Sequence, residues 1–387
     1  MKISNSKVLI ISHFLINPFL NYSAASTALR DFFKNKSKKV VQIELPFPES
    51  QEKYCYCLIL ENGKRGKSLK VKNISNPVFL GYMYHIIIIN YFIFRSGLFF
   101  DLVISCDNLS FISTLYLKYT GVFKRTVFYS IDYVKERFKS SITNMIYHQF
   151  DKISCKNSDI NWVVSKEQIL ARKRNGIDIE NCSRFIVVPI GFKIENTKFS
   201  KMNPDNYYRL VFCGTLRSSA GPQLIVESLP LLLKRFPKIK VDFIGDGYLA
   251  TELKDLTKLL NVNKAVKFWG RVENHRRVVK ILTKANIGLA PYVSEKNSIS
   301  EVSDPGKIKL YLSCGLPVIT TRVATSWKLI SRANAGIVIK QNPRDLEKAV
   351  RDILYTRKIY YEYKRNINKL VSYFNIEMIL SEAIRDS

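Results

Sequence analysis

Strand and helix signals alternate along the whole chain, and this alternation constrains the fold more than any other feature. Short apolar runs rich in β-branched residues, typical of buried strands, are separated by longer amphipathic stretches. The alternation comes in two series, one starting with Val8–Ser12 and one starting with Leu210–Cys213. Such a pattern predicts an α/β protein whose parallel sheets are covered by helices.

Length and one polar segment divide the chain into two domains. With 387 residues the chain is long for one core and comfortable for two. We predict an N-terminal domain over 1–195, a polar linker over 196–208 and a second domain over 209–362. The fold class is therefore α/β with two doubly wound, Rossmann-like domains, which place a ligand cleft at the carboxyl ends of their strands.

The charge of the chain is strongly positive. There are 61 basic and 32 acidic residues, which gives a formal net charge of +29. Such an excess indicates an anionic partner, namely nucleic acid, anionic lipid or a phosphorylated substrate. The alternative is a bias toward lysine on solvated faces, seen in Lys34, Lys36, Lys38 and Lys39.

Cysteine usage indicates a cytoplasmic protein. The seven cysteines are scattered, odd in number and without paired C-x-x-C sets, which favours reduced thiols and argues against a zinc site. Four widely separated histidines make a histidine-built metal site a poor interpretation. No secretory signal is evident, because no small-residue cleavage site follows the apolar run Lys7–Ile16.

The segment Val78–Phe94 is the strongest candidate for contact with a membrane. It is about as long as the shortest spanning helix, but His85 and Asn90 interrupt it. We expect a helix that is either packed in the core or inserted shallowly at a bilayer interface. Its aromatic residues suit the interface, and the basic surface of the chain suits anionic lipid at the inner face of the membrane.

The stretch Asp304–Thr321, DPGKIKLYLSCGLPVITT, predicts a short helix followed by a buried strand. Asp304 can cap the helix, with Gly306 in its first turn, and Gly315 can end it in a left-handed conformation. A helix N-terminus favours anions, and Lys307 adds a positive charge to its first turn. On the residues alone, this segment is equally compatible with an ordinary helix–strand unit of any α/β domain.

The amino-acid sequence of this stretch resembles the donor-binding segment of GT-B-fold glycosyltransferases, especially the large retaining group (family 4, or group 1). Many members read P-x-K-x-x-E-Y-L-A-x-G-x-P-V-I, and this chain matches at Pro305, Lys307, Tyr311, Leu312, Gly315, Pro317 and Val318. The resemblance implies a nucleotide-sugar donor in the C-terminal half and an acceptor in the N-terminal half. It also implies that the final segment, 363–387, crosses back to the N-terminal domain.

Two glycine-containing turns extend the resemblance. CGTLRSSAG follows the first strand of the second series, so Gly214 allows a tight turn and Arg217 can contact a diphosphate. Relatives usually carry an arginine after the first glycine, where this chain has Thr215. IGDGY resembles the family's V-G-D-G-P turn and puts Gly245 near the nucleotide. The alternative to a diphosphate contact is that Arg217 is an ordinary loop arginine that faces the solvent.

The chain departs from the family at two glutamates eight positions apart, which contact the sugar and the ribose hydroxyls. The corresponding positions are Val302 and Leu310, both apolar. Glu301 or Asp304 can take the sugar role, whereas ribose binding needs another group. The resemblance implies retention of anomeric configuration, but these substitutions leave retention or inversion open.

Two residues of the N-terminal half are candidates for catalysis. Asp132 follows a strand where many relatives keep a histidine facing the sugar, so its carboxylate can act as a general base. The alternative is a cap for a short helix over Val134–Phe138. His13 ends the first strand and is expected to face the same cleft, although a lone histidine is usually structural.

These observations predict a peripheral membrane glycosyltransferase. It would move a sugar from a nucleotide diphosphate sugar to a glycan or lipid-linked glycan in cell-surface polysaccharide or lipopolysaccharide synthesis. No bound cofactor or metal is expected. The alternatives are an inactive glycan-binding subunit, a nucleotide-sugar epimerase on the same fold, and a nucleic-acid-binding protein. No helix-turn-helix, zinc or base-stacking motif supports the last of these, so we expect no nucleic-acid partner.

Overall fold

The computed structural model describes most of the chain in two compact units. The described residues are 3–14, 25–47, 50, 52–74, 78–138, 140–191, 207–294 and 306–387, without the side chains of residues 78, 79 and 372. The first unit comprises residues 1–190 together with 376–387, and the second comprises 191–375. The predicted linker, 196–208, lies outside the described residues except for Tyr207 and Tyr208.

The first unit is built on an eight-stranded sheet with the order β4-β3-β2-β1-β5-β6-β7-β8. Its strands are β1 Lys7–Phe14, β2 Lys39–Pro46, β3 Tyr54–Glu61, β4 Lys64–Lys72, β5 Leu102–Ser105, β6 Thr126–Ser130, β7 Ile160–Val163 and β8 Phe185–Val187. Its helices are α1 Ala25–Phe33, α2 Val78–Ser96, α3 Asn108–Ile112, α4 Leu115–Tyr119, α5 Ser141–Asn157, α6 Lys166–Arg174 and, from the end of the chain, α14 Ile376–Arg385.

The second unit is built on a six-stranded parallel sheet with the order β11-β10-β9-β12-β13-β14. Its strands are β9 Arg209–Cys213, β10 Lys240–Ile244, β11 Val266–Gly270, β12 Ile287–Ala290, β13 Val318–Thr321 and β14 Gly336–Ile339. Its helices are α7 Pro222–Arg235, α8 Ala250–Leu259, α9 His275–Leu282, α10 Gly306–Ser313, α11 Trp327–Arg332, α12 Pro343–Leu354 and α13 Arg357–Val371.

In both sheets the order of the strands reverses beside the first strand, and this reversal indicates where a ligand can bind. In the first sheet β1 lies between β2 and β5, and in the second sheet β9 lies between β10 and β12. In doubly wound sheets, ligands bind beyond the carboxyl ends of the strands at such a reversal. Each unit therefore contains one doubly wound sheet, which confirms the predicted α/β fold. Residues that follow β1, β5, β9 and β12 lie at the two positions where a ligand is expected.

The first sheet has an antiparallel edge that we did not predict. Strands β3 and β4 form a hairpin, in which Glu61 pairs with Lys64 across a two-residue turn. The turn residues Asn62 and Gly63 have φ angles of 48° and 76°. An Asn-Gly pair between two strands is the usual signature of this turn, so the signal was present in the sequence.

A helix over Val134–Phe138 was predicted as the alternative role of Asp132, and that prediction is wrong. The described residues from Ile131 to Phe138 form bends and irregular backbone with no helical turn. The chain is held there by Asn144 of α5, whose side chain accepts from the backbone N–H groups of Arg137 and Phe138, both at 2.8 Å. Asp132 therefore caps no helix at this point.

The predicted helix over Val78–Phe94 is present as α2 and has two different faces. Ile89, Phe92 and Ile93 are fully buried against the first sheet, whereas Ile87 and Phe94 are largely exposed. None of the helices in the described part of the chain combines the length and the apolar character that a membrane crossing requires.

The last helix, α14, packs in the core of the first unit. Ile379, Leu380 and Ile384 join the apolar cluster formed by α1 and the sheet. The end of the chain is also tied down by hydrogen bonds, because Arg125 donates to the Ser387 carbonyl at 2.6 Å and the Trp162 Nε1 donates to the Ser387 hydroxyl at 3.1 Å. Residues 357–371, in contrast, belong to the second unit.

Candidate functional site

In the second unit, two glycine turns meet at the carboxyl ends of β9 and β10. The Gly214 N–H donates to the Ile244 carbonyl at 2.8 Å, and the Leu216 N–H donates to the Asp246 carbonyl at 3.0 Å. A Cβ on Gly245, whose φ is +129°, would lie 2.1 Å from the Gly214 carbonyl oxygen. Only glycine allows this approach, so the structure brings the predicted residues Gly214 and Gly245 together.

Lys307 extends from the first turn of α10 to the same point. Its Nζ lies 4.1 Å from the ring centre of Phe212 and 4.9 Å from that of Tyr292. A Cβ on Gly214 would come within 3.2 Å of this Nζ. No carboxylate of the described residues forms an ion pair with it. The ammonium therefore lies over two aromatic rings and beside the Gly214 backbone.

Burial of the ammonium lowers the pKa of Lys307 to about 7, and the charge of Arg217 contributes in the same direction. A buried cation without a counter-ion is costly, and it recovers that cost when an anion binds. Arg217 is partly buried and precedes a short 3-10 turn over Ser218–Ala220. The structure thus places two predicted cations, Lys307 and Arg217, within electrostatic reach of each other beside the glycine turns.

Helix α10 supports this arrangement as the sequence predicted. It begins at Gly306, and its side chains Ile308, Tyr311 and Leu312 are fully buried. Gly315 follows it with a φ of +69°, which is the left-handed conformation that ends a helix. The Tyr311 hydroxyl accepts from the Cys213 N–H at 2.6 Å and donates to the Leu289 carbonyl at 3.1 Å, so α10 is fixed to β9 and β12.

Three positions of the predicted donor site need separate comment. Glu301 and Asp304, expected to contact the sugar or cap α10, lie outside the described residues, as does Val302. Leu310, where relatives keep a ribose-binding glutamate, is buried in an apolar cluster with Ile308. The side chain of Leu310 has no polar atom, so it offers no hydrogen bond to the hydroxyl groups of a ribose.

In the first unit, a cavity of about 390 Å³ opens at the carboxyl ends of β1, β5 and β6. His13 of β1, Asp107 after β5 and Asp132 after β6 all line it. The structure therefore brings together His13 and Asp132, the two predicted catalytic residues. The site lies where the order of the first sheet reverses, which is the expected position for a ligand.

His13 is held by a carboxylate that the sequence analysis missed. Its Nδ1 lies 3.0 and 3.1 Å from the two oxygens of Asp107, and the backbone N–H of His13 donates to the same carboxylate at 3.0 Å. Burial raises the pKa of Asp107, but His13 and two donors from Ser110 outweigh it and leave the pKa well below its usual range. Asp107 therefore stays ionised and accepts a hydrogen bond from the His13 Nδ1–H.

The other nitrogen of His13 meets a second histidine. Its Nε2 lies 3.2 Å from Nδ1 of His85, whose Nε2 lies 2.8 Å from Oδ1 of Asn73. Burial lowers the pKa of His85 to about 3, so this ring is neutral near pH 7. Asp107, His13, His85 and Asn73 thus form a chain of hydrogen bonds, and both ring nitrogens of His13 are engaged within the protein.

A buried ion pair between Arg172 and Asp151 lies next to this cavity, and Asp151 is one of the residues that line it. Arg172 of α6 donates from Nε and Nη2 to the two oxygens of Asp151, both at 2.8 Å, and from Nη2 to the Ser130 hydroxyl at 2.6 Å. Burial opposes the charge on Arg172, but Asp151 outweighs it and raises the pKa of Arg172. The pair connects α5 and α6 to the end of β6, immediately before Asp132.

Metal-ligating side chains do not cluster in the described residues. No group of three or more histidine, cysteine, aspartate or glutamate residues there is arranged to hold a metal ion. In the described part of the donor region, the cations Lys307 and Arg217 lie near each other beside the glycine turns. The turn after β10 also carries the Asp246 carboxylate, which accepts from the Gly247 N–H at 2.8 Å.

A family model matches the second unit. Residues 207–356 match the family described as Glycosyl transferases group 1. The matched region contains both glycine turns, Arg217, Lys307 and α10. The resemblance predicted from the DPGK segment is thereby confirmed for this part of the chain.

One curated relative is similar over part of its length. The chain is 25% identical over 168 residues to the phosphatidylinositol N-acetylglucosaminyltransferase gpi3 subunit of Schizosaccharomyces pombe. The match covers 43% of this chain and 35% of the relative, so the chain aligns with about a third of that protein's length.

Solved structures resemble the chain over nearly its whole length. Anabaena Alr3699/HepE in complex with UDP has a TM-score of 0.68 at 12% identity, with 98% of this chain and 100% of that chain covered. The lipopolysaccharide outer core galactosyltransferase WaaB has a TM-score of 0.62 at 16% identity, with 98% and 99% covered. The chain therefore has the GT-B fold, and its residues 207–356 match the Glycosyl transferases group 1 family.

Proposed function

We propose that the protein transfers a sugar from a nucleotide diphosphate sugar to a glycan or lipid-linked glycan acceptor. The observation that carries this proposal is Lys307, a partly buried ammonium beside two glycine turns with no carboxylate partner in the described residues. A diphosphate is the kind of ligand that such an arrangement stabilises, because it brings two or more negative charges to an ammonium that has no carboxylate partner in the described residues.

The donor site would act by stabilising the leaving group. In our proposal Lys307 and Arg217 neutralise the charge that develops on the nucleoside diphosphate as the sugar departs. Gly214 and Gly245 place no side chain between the phosphates and the glycine turns, whereas their own N–H groups donate to the Ile244 and Gly270 carbonyls. The start of α10 at Gly306 would present the N–H groups of a helix N-terminus to the phosphates. Glu301 and Asp304 remain our candidates for contact with the sugar hydroxyls.

On the acceptor side we propose Asp132 as the group that accepts the proton of the attacking hydroxyl. His13 is the second catalytic candidate, in a supporting role. With both its ring nitrogens engaged by Asp107 and His85, it orients the site more readily than it abstracts a proton from a substrate. We further propose retention of the anomeric configuration, as the resemblance implies, which the NMR coupling constant of the product's anomeric proton would test.

The relatives support this class of reaction. The gpi3 subunit is named as an N-acetylglucosaminyltransferase acting on phosphatidylinositol, and WaaB as a galactosyltransferase of the lipopolysaccharide outer core. Hexosyl transfer in cell-surface polysaccharide synthesis is the activity that we propose by analogy with them.

We also propose that the protein binds peripherally to an anionic membrane from the cytoplasmic side. Two surfaces support this proposal. One is the row of exposed apolar side chains on α2: Leu80, Met83, Ile87, Tyr91 and Phe94. The other is a basic groove of the second unit, lined by Arg209, Lys267, Arg276, Arg277, Lys280 and Lys284. In that groove the Asp242 carboxylate is already paired with Arg209 at 2.6 Å.

Membrane fractions washed with high salt or at alkaline pH should release the protein if this binding is electrostatic and shallow. Retention through both washes, with release only by detergent, would contradict a peripheral attachment.

A catalytically inactive glycan-binding subunit is the second candidate function. The burial of Leu310 at the position of a ribose-binding glutamate favours it. The test is a panel of nucleotide sugars, read first by thermal stabilisation and then by release of nucleoside diphosphate with an acceptor. Stabilisation with release supports the transferase, whereas glycan binding without donor stabilisation supports the inactive subunit.

A further inference from the structure

The cavity of the first unit is predominantly apolar, which is unusual for a site that would hold only a sugar. Its lining includes Phe47, Met83, Ile86, Leu109, Ile146 and Phe150. These side chains offer no hydrogen bonds to sugar hydroxyls, and burying unpaired hydroxyls is costly. At about 390 Å³ the cavity lies within the range of roughly 300–1,000 Å³ typical of small-molecule sites.

One cation stands among these apolar side chains. The guanidinium of Arg137 lies 4.8 Å from the ring centre of Phe47 and 5.8 Å from that of Tyr147. The backbone N–H of Arg137 donates to Asn144, so this hydrogen bond does not use the guanidinium. Arg137 lines the cavity. In the described residues it forms no ion pair with a carboxylate. A guanidinium held close to aromatic rings is well placed to bind a phosphate.

The cavity continues onto an exposed apolar surface. Met83 of α2 and Ile146 of α5 both line the cavity, and they are 48% and 40% exposed. Met83 belongs to the row of exposed apolar side chains on α2, and Ile142 and Met145 extend the apolar surface on α5. An elongated apolar ligand can therefore leave the cavity without losing contact with apolar side chains.

We propose that this cavity binds the apolar, phosphorylated part of the acceptor, namely an alkyl or polyprenyl chain carrying a phosphate or diphosphate. The chain packs on the side chains from α2 and α5, and the phosphate binds to Arg137. This inference rests on the proposed function and names its acceptor class. The polar residues that also line the cavity, His13 and Asp132, are then left for the sugar end of the acceptor.

Soluble probes separate the two parts of this ligand. Binding of octyl phosphate, 1-octanol and inorganic phosphate to the full chain would be measured by calorimetry, with all probes below their micelle concentrations. We expect octyl phosphate to bind at least tenfold more tightly than either other probe. Equal affinity for octyl phosphate and inorganic phosphate would contradict an apolar site, and equal affinity for octyl phosphate and octanol would contradict the role of Arg137.

Matched variants test the location. Ile146→Gln should weaken octyl phosphate about tenfold, whereas Ile153→Gln, on the same helix but outside the cavity, should not. Arg137→Gln should lower the affinity for octyl phosphate to the affinity that octanol has. Arg174→Gln on α6 should leave the affinity for octyl phosphate unchanged. Identical affinities in the cavity variants and their controls would overturn the proposal.

Nucleoside diphosphate affinity, measured in the same variants, separates this proposal from the proposed function. If nucleotide binds normally while octyl phosphate does not bind, the acceptor inference fails and the transferase stands. If octyl phosphate binds at the cavity and nucleotide does not bind to the parent, the transferase fails while the lipid-phosphate site stands.

Discussion

Gly214 and Lys307 touch: a Cβ added to Gly214 would lie 3.2 Å from both Cε and Nζ of the lysine. The two residues are far apart in sequence and come from a turn after β9 and from the first turn of α10. Their proximity means that a diphosphate bound next to Gly214 would also contact the Lys307 ammonium, which is the basis of the proposed donor site.

Gly214→Ala should weaken nucleoside diphosphate binding about tenfold. The φ of +141° is strained for alanine, and the added methyl group displaces the Lys307 ammonium. Gly176→Ala is the matched control, because it has a φ of +78° but open space around its Cβ position. Calorimetric titration would measure both. Equal affinities in the two variants would mean that the contact with Lys307 is irrelevant to the donor.

Nucleoside diphosphate affinity should fall as the pH rises above 7. Burial lowers the pKa of free Lys307 to about 7, and a bound anion raises it, so binding takes up a proton between the two pKa values. The affinity is then fully present below pH 7 and falls by up to about tenfold per pH unit above it. Titration in buffers of different ionisation enthalpy would detect the proton. Binding without proton uptake between pH 7.5 and 9 contradicts this role, and exposed Lys348→Gln is the control that should retain the uptake.

Asp132→Asn should lower turnover by roughly 100-fold or more at unchanged thermal stability if Asp132 is the general base. Asparagine keeps the size of the side chain but removes its basicity. The absence of a helix over Val134–Phe138 removes capping there as a competing explanation. Transfer rates within about twofold of the parent, at equal stability, would leave His13 as the remaining candidate.

The buried carboxyl of Glu44 should make stability depend on pH. Burial raises its pKa to about 8 from an ordinary 4.5, so between these pH values the folded state holds a proton that the unfolded state releases. The contribution of Glu44 to the free energy of unfolding is therefore present below about pH 4.5 and is lost as the pH rises through 8.

Glu44→Gln should remove this loss, so the variant should be more stable than the parent at pH 9 and closer to it at pH 5. Urea denaturation at the two pH values would measure the difference, with exposed Glu180→Gln as the control. If the free energy of unfolding changed with pH in the same way in the parent and the variant, Glu44 would not be the cause of the pH dependence.

Much of the fold could be predicted because each unit follows local rules. The helix α10, its end at Gly315 and the strand β13 depend on residues within one short segment, which carries all the necessary signals. The hairpin after β2 also had a local signal in Asn62 and Gly63, which the sequence analysis did not use.

The site in the first unit could be predicted only in part. His13 and Asp132 were recognisable because His13 lies at the end of a predicted strand and Asp132 lies just after one. Asp107 follows β5 in the same way, and its position at the carboxyl end of a strand could have identified it. The contact between His13 and His85 spans 72 residues and depends on how α2 packs on the sheet, which no local pattern encodes.

The most direct test of the central claim is the affinity of Lys307→Ala for nucleoside diphosphate, measured by calorimetry against the parent at pH 7. If Lys307 binds the diphosphate, the variant should lose about 1.5–3 kcal/mol of binding free energy, while octyl phosphate binding to the first unit stays unchanged. An unchanged nucleoside diphosphate affinity would contradict the donor site and, with it, the proposed function.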